Sequence, residues 1–291
     1  MSSILNHKDF IFNILVDYGG LKPITASQIL SQKFAISMYM KAFTHSSFNN
    51  IHNYERLETL GDKIYNSYIM KYIFKDKILR KYINVDWTSR IVIYFVQSKF
   101  LAKAALKFQF DKYIRIGGAF KTSFLGKNMI ENPKFLKILE DVVESFIGCT
   151  YLVLSQQRNI FGKYGDEVAD AVNRHIVTSI IQSEPFEPTV ELFDAVSRLK
   201  IVSDKQKWGD IKKILKSKQD PKTQKWTSTL YEPYELNKRE HIIAIAEHPV
   251  KVESQQMVSK LGLKYFEPLG YKFIPPDPFS SKIKTGIFYK K

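Results

Sequence analysis

Residues 54–68, reading Tyr-Glu-Arg-Leu-Glu-Thr-Leu-Gly-Asp-Lys-Ile-Tyr-Asn-Ser-Tyr, restrict what this chain can build more than any other stretch. At about 100° per residue they wind into a helix on which Glu55, Glu58 and Asp62 fall within roughly 60° of one another. Leu57, Leu60, Ile64 and Tyr68 gather on the opposite side, so one face is expected to pack and the other to carry carboxylates. Acids one turn apart repel by roughly 0.2–0.5 kcal/mol per pair. A cation relieves that repulsion, and three carboxylates along about 10 Å of helix offer oxygen ligands to magnesium or manganese. Such a stripe is also commonly plain solvated surface, so by itself it does not make a site.

A second stretch, residues 138–151, shifts the balance. Its Leu139, Val142, Val143, Phe146 and Ile147 form a broad apolar arc, with Asp141 and Glu144 opposite and Ser145 and Gly148 beside the acids. A glycine inside a helix costs about 1 kcal/mol relative to alanine, so Gly148 points to a close approach by something. Two helices of this kind, face to face, leave a gap suited to metal ions and a phosphate.

The residues carry a family resemblance. Residues 55–62, Glu-Arg-Leu-Glu-Thr-Leu-Gly-Asp, resemble the signature of the ribonuclease III family. Thr44-His45-Ser46-Ser47 resembles the stretch that precedes that signature, and Asp141-Val-Val-Glu144-Ser-Phe-Ile-Gly148 resembles the family's second acidic motif. Arg90 and residues 98–102 are similar to the connecting helices, and the four landmarks together cover roughly residues 25–155 in the family's order. The resemblance implies a metal-binding catalytic set of Glu58, Asp62, Asp141 and Glu144, with Glu55 as a supporting catalytic acid. It implies Mg2+ as cofactor, with Mn2+ as a substitute, and two-metal hydrolysis of double-stranded RNA to 5′-phosphate and 3′-hydroxyl ends with 3′ overhangs. A homodimer with two active sites is implied as well. Thr59 stands at a signature position commonly aromatic in the family, which bears on the dimer contact. Only one pair of acidic motifs is present, so the chain does not supply both sites by itself.

The chain has 291 residues with a net charge of +15, which calls for a polyanionic partner without separating RNA, DNA and anionic lipid. One cysteine, Cys149, leaves no internal disulfide and reads as a small core residue. There is no membrane span, no secretory or transit-type N-terminus and no Walker spacing after Gly117-Gly118, so an intracellular, cytoplasmic protein without nucleotide cofactor or membrane partner is expected. His45 reads as a hydrogen-bonded structural residue rather than a general base.

The domain reading is a helical extension over residues 1–24, a ribonuclease III-like, mostly α-helical domain over 25–182, a Pro-broken linker over 183–188, a smaller α+β domain over 189–270 and a basic tail over 271–291. Residues 119–132, with Lys121 and Lys127, read as an exposed loop, and residues 166–182 as the closing helix. The second domain reads as helix (190–196), strands (226–232 and 241–247) and helix (251–266), the order of a double-stranded-RNA-binding domain. The likeness is partial. Only Lys251 corresponds to the phosphate-gripping lysines of such domains, no glycine-rich turn precedes it, and residues 201–225 exceed the usual spacing. Trp208, Trp226, Tyr231 and Tyr234 are core residues on this reading rather than base-stacking platforms. Two other functions stay open: a non-catalytic scaffold of a ribonucleoprotein such as a mitochondrial ribosome, and a protein that shields duplex RNA without cutting it.

Overall fold

The structure is a computed structural model that describes residues 2–82, 84–118, 132–234, 236 and 241–277. Lys121 and Lys127, in the stretch read as an exposed loop, and residues 278–291 of the expected basic tail lie outside the described residues. Two compact units divide the chain: Met1–Lys81 with Ile91–Glu187, and Tyr82–Arg90 with Pro188–Lys291.

The first unit is helical and is built around the helix Pro133–Ser155. Asn132 starts that helix by accepting a hydrogen bond from the Lys134 amide, and Pro133 follows, a residue whose fixed φ suits the first turn. From Ile138 to Thr150 every residue is buried, the acids Glu140, Asp141 and Glu144 together with the apolar side chains. Helices Lys33–Ala42, Glu55–Lys75, Ser98–Lys107 and Gly165–Ile181 surround it. Cys149 is fully buried within it, the core role expected of it.

Two glycines set how close the acidic helices come. A Cβ placed on Gly61 would lie 1.7 Å from the Glu144 carbonyl oxygen, and one on Gly148 would lie 2.3 Å from that of Leu57. The helix Glu55–Lys75 therefore crosses Pro133–Ser155 backbone to backbone. The crossing also turns the helix from the expected orientation. Leu57 and Tyr68 are buried as expected, but Gly61 and Tyr65 replace Leu60 and Ile64, which are only half-buried.

The stretch read as an N-terminal extension is part of this core. Helix Ser2–Asn13 continues as a π-turn over Ile14–Tyr18 and buries Phe10, Ile11, Ile14 and Leu15. Phe10 stacks on Tyr113 with ring centroids 4.0 Å apart and meets Phe43 and Phe110 edge-on at 5.6 and 5.5 Å, favourable aromatic geometries.

The second unit is α+β. Helix Ala195–Gln206 is capped by the Asp194 carboxylate, which accepts from the Ser197 amide. Strands β1 (Leu215–Gln219), β2 (Trp226–Tyr231) and β3 (Ile242–His248) form an antiparallel sheet in that order, and helix Lys251–Phe266 follows. Leu199, Val202, Leu230, Val258 and Phe266 are the centre of its core. Trp208 is buried against Phe266, with centroids 4.7 Å apart, as a core residue. Tyr82–Arg90 belongs here: the Trp87 indole donates to the Pro276 carbonyl at 2.7 Å and Arg90 pairs with Asp194 at 3.0 Å.

Strand β1 lies inside residues 201–225, the segment read as an overlong insertion. It reads Leu-Lys-Ser-Lys-Gln and buries only Leu215, so it carries too little apolar alternation to announce a strand. The first helix also begins later than expected, at Ala195 rather than 190, because Val190–Leu192 forms only a 3-10 turn.

Candidate metal centre

The glycine crossing places the acids of one helix against those of the other. Glu58, Asp141 and Glu144 each present a carboxylate oxygen, and these oxygens all lie within 4.8 Å of one another. Asp141 and Glu144 are buried, at 8% and 5% exposure, and Glu58 is half-buried.

The remaining expected residues stand elsewhere. Asp62 sits beside the trio, with Oδ1 accepting from Asn66 at 2.6 Å and Oδ2 from Lys63 at 2.7 Å. Glu55, one turn before Glu58, is exposed at the edge. Lys251 belongs to the second unit, where its Nζ lies 5.0 Å from the centroid of the Trp226 ring, a cation–π contact. His45 accepts from the Ser47 amide at 3.0 Å through Nδ1, which pins the loop before the signature helix. Burial lowers its pKa, against the raising charges of Asp141 and Glu55.

Three residues at the centre were missed by the sequence reading. Lys137 places Nζ 2.7 Å from Asp141 Oδ1, 3.3 Å from Glu140 Oε1 and 3.9 Å from Glu58 Oε1. Glu140 is buried, and its Oε2 has no hydrogen-bond partner among the described residues. The Tyr54 hydroxyl donates to Asp141 Oδ2 at 3.1 Å. Lys137 precedes Asp141 by four residues, a same-face helical spacing that the sequence did display. Tyr54 lies just outside its helix, where no periodicity reports on it.

Crowding of the acids shows in their proton affinities. Burial first, then the charge of Glu140, pushes the Glu144 carboxyl up to about 8, although Lys137 opposes this; Asp62 and Asp141 add to the rise. Burial and Asp141 raise Glu58 to about 7, again against Lys137. Burial and Asp141 raise Tyr54 as well, which keeps it a hydrogen-bond donor. Lys137 is itself raised: burial pulls it down, but the hydrogen bond and charge of Asp141 outweigh that.

These residues fit a hard divalent cation. The donors are all carboxylate oxygens, an ammonium already stands among them, and a buried Glu140 oxygen is left without a hydrogen bond among the described residues.

A pH dependence follows. Carboxyls whose folded pKa is raised contribute stability that is present below the unfolded pKa near 4.5 and lost as pH rises through about 7 for Glu58 and about 8 for Glu144. The slope is at most about 1.4 kcal/mol per pH unit per group, and less for Glu58 because water screens it. In EDTA, melting temperature is expected to fall by about 5 °C between pH 5.5 and 8.5. The fall should be smaller in Glu144→Gln; equal slopes in both proteins would remove Glu144 as its cause.

A helical domain that crosses two acidic helices at paired glycines and gathers carboxylates there is the class that fold and site define. Residues 36–160 match the family model described as ribonuclease-III-like. The chain is 37% identical over 134 residues to ribonuclease 3 of Mycoplasmoides gallisepticum (strain R(high / passage 156)), covering 43% of this chain and 18% of that protein. It is 31% identical over 121 residues to ribonuclease 3 of Ureaplasma parvum serovar 3, covering 39% of this chain and 48% of that protein. A crystal structure of the nuclease domain of ribonuclease III from Campylobacter jejuni is 25% identical, covers 55% of this chain and 94% of that chain, and superposes with a TM-score of 0.39. The chain spans less than half the length of these two curated relatives. Residues 36–160 of the first unit are thus similar to the ribonuclease III family over less than half of the chain.

Proposed function

We propose that this chain is a divalent-metal-dependent endoribonuclease that cuts double-stranded RNA, using Mg2+ and accepting Mn2+. The observation that carries this reading is the convergence of Glu58, Asp141 and Glu144 inside a ribonuclease-III-like domain. Together with Asp62 they are the residues to hold the metal; Glu55, at the open edge, supports them through water or partner contacts. When bound, such ions would polarise a phosphodiester and lower the pKa of a coordinated water. Glu58 and Glu144 give up their protons as the site loads, so loading strengthens with pH up to about 8. Tyr54 fixes the direction of Asp141 by its hydrogen bond to Oδ2. Products are expected to carry 5′-phosphate and 3′-hydroxyl ends with 3′ overhangs.

The active form is proposed to be a homodimer inside the cell. Leu60 and Ile64 are left half-exposed on the signature helix, and Thr59 turns its hydroxyl back to the Glu55 carbonyl at 3.0 Å, so the contact would rest on the aliphatic residues. Among the described residues no helix is long and apolar enough to cross a membrane.

For the second unit, the helix, three-strand, helix order supports duplex-RNA binding, with Lys251 at the start of its last helix. Phosphate contacts give affinity without sequence preference. Lys251→Ala is therefore expected to weaken duplex binding about threefold to tenfold for every sequence and to reduce the salt slope by about 1. A gel-shift series at several salt concentrations measures both, and unchanged affinity would remove Lys251 from the interface.

Substrate class is tested by offering end-labelled duplex RNA, its separate strands and duplex DNA of the same sequence in Mg2+. Cuts in duplex RNA alone, with staggered ends and 5′-phosphates, are expected. Equal cutting of single strands or DNA would contradict the reading.

A further inference from the structure

The ammonium of Lys137 stands among the carboxylates that a metal would need. It touches Asp141 Oδ1 at 2.7 Å and comes within 3.9 Å of Glu58 Oε1, two of the three acids whose oxygens converge. We propose that Lys137 is a built-in counter-ion, which holds the metal-free cluster together and has to leave it when a divalent cation binds. This rests on the reading of the cluster as a metal site.

A divalent cation and the ammonium seek the same oxygen, and two cations on one carboxylate repel each other strongly where water is scarce. Lys137 has somewhere to go. Its side chain is 52% exposed and its four-carbon stem is flexible, with a head group that water solvates well. Asp141 keeps its place when Lys137 leaves, because Tyr54 holds the other oxygen. Tyr54 is itself anchored: its amide donates to the Thr44 carbonyl at 3.0 Å, and its carbonyl accepts from the Leu57 and Glu58 amides at 2.8 and 2.9 Å. The two groups on Asp141 thus act in opposite senses, Tyr54 preparing the carboxylate for a metal and Lys137 competing for it. Lys137 also protects the metal-free fold from repulsion among Glu58, Glu140 and Asp141, so the protein persists when divalent cation is scarce.

The test is a titration of Mn2+ into the metal-free full-length chain at pH 7.5, followed by calorimetry and by loss of the free-ion electron paramagnetic resonance signal. Wild type is compared with Lys137→Met, Lys137→Gln, Lys137→Arg and Tyr54→Phe, each checked for folding by circular dichroism. Removing the charge is expected to tighten Mn2+ binding about fivefold in Lys137→Met and Lys137→Gln. Lys137→Arg stays near wild type, and Tyr54→Phe binds several-fold more weakly. Without metal, Lys137→Met melts below wild type, and Mn2+ closes the gap. If Lys137→Met does not fold without metal, Lys137→Gln gives the affinity readout. Equal or weaker Mn2+ binding by the charge-removed variants overturns the counter-ion role and leaves the metal site standing. No Mn2+ uptake by wild type overturns both.

Discussion

Gly61→Ala is expected to lower the melting temperature by about 6 °C or more and to open the carboxylate cluster. Helix propensity alone gives the opposite sign, since alanine in a helix interior is favoured over glycine by about 1 kcal/mol. Packing decides the outcome. The new Cβ would sit 1.7 Å from the Glu144 carbonyl oxygen and 2.4 Å from its carbonyl carbon. Those are backbone atoms in the middle of a buried helix, so no rotamer change relieves the clash and the two helices must separate. Overpacking of this kind costs about 3 kcal/mol or more, a large share of a typical total of 5–15 kcal/mol. Separation also carries Glu58 and Asp62, each within one turn of Gly61, away from Asp141 and Glu144. Gly118→Ala serves as the control, because nothing lies within 4 Å of its added Cβ. Calorimetric melts of the two variants compare the effects, and a Gly61→Ala protein that melts within a degree of wild type would contradict the crossing.

The second large effect concerns Glu144. Glu144→Gln is expected to reduce cleavage at least about 1000-fold, which corresponds to about 4 kcal/mol of transition-state stabilisation. The amide keeps the shape but loses the charge that holds a cation. In the metal-free protein the same change should stabilise, because it removes an acid whose pKa is raised by burial first and then by Glu140, Asp62 and Asp141, against the opposing charge of Lys137. Lost activity together with an unchanged or higher melting temperature in EDTA separates a catalytic role from a folding defect. A variant that loses activity only because it melts earlier would count against the assignment.

The sequence displayed the two acidic helices because their acids recur at helical spacing, and it displayed the Gly148 contact because a mid-helix glycine has a cost that packing must explain. Periodicity could not fix the rotation of the signature helix. Gly61 has no side chain to weigh, yet it sets the crossing, and its partner Tyr65 is buried in place of Leu60 and Ile64. Lys137 and Glu140 were visible at helical spacings from Asp141 but belong to no motif, and Tyr54 reaches Asp141 across 87 residues of chain. Strand β1 was hidden by its lysines, since only Leu215 among its five residues is buried. The assignment of Tyr82–Arg90 to the second unit rests on Trp87 and Arg90, whose partners Pro276 and Asp194 lie more than 100 residues away.

The measurement that bears most directly on the proposed activity is cleavage of an end-labelled RNA duplex by the purified full-length chain in Mg2+, beside EDTA, Ca2+ and the Glu144→Gln protein. Cuts on both strands that require Mg2+ and vanish in Glu144→Gln are expected. A duplex that is bound but left intact in Mg2+ or Mn2+ at every protein concentration, or one that Glu144→Gln cuts as well as wild type does, would contradict that expectation.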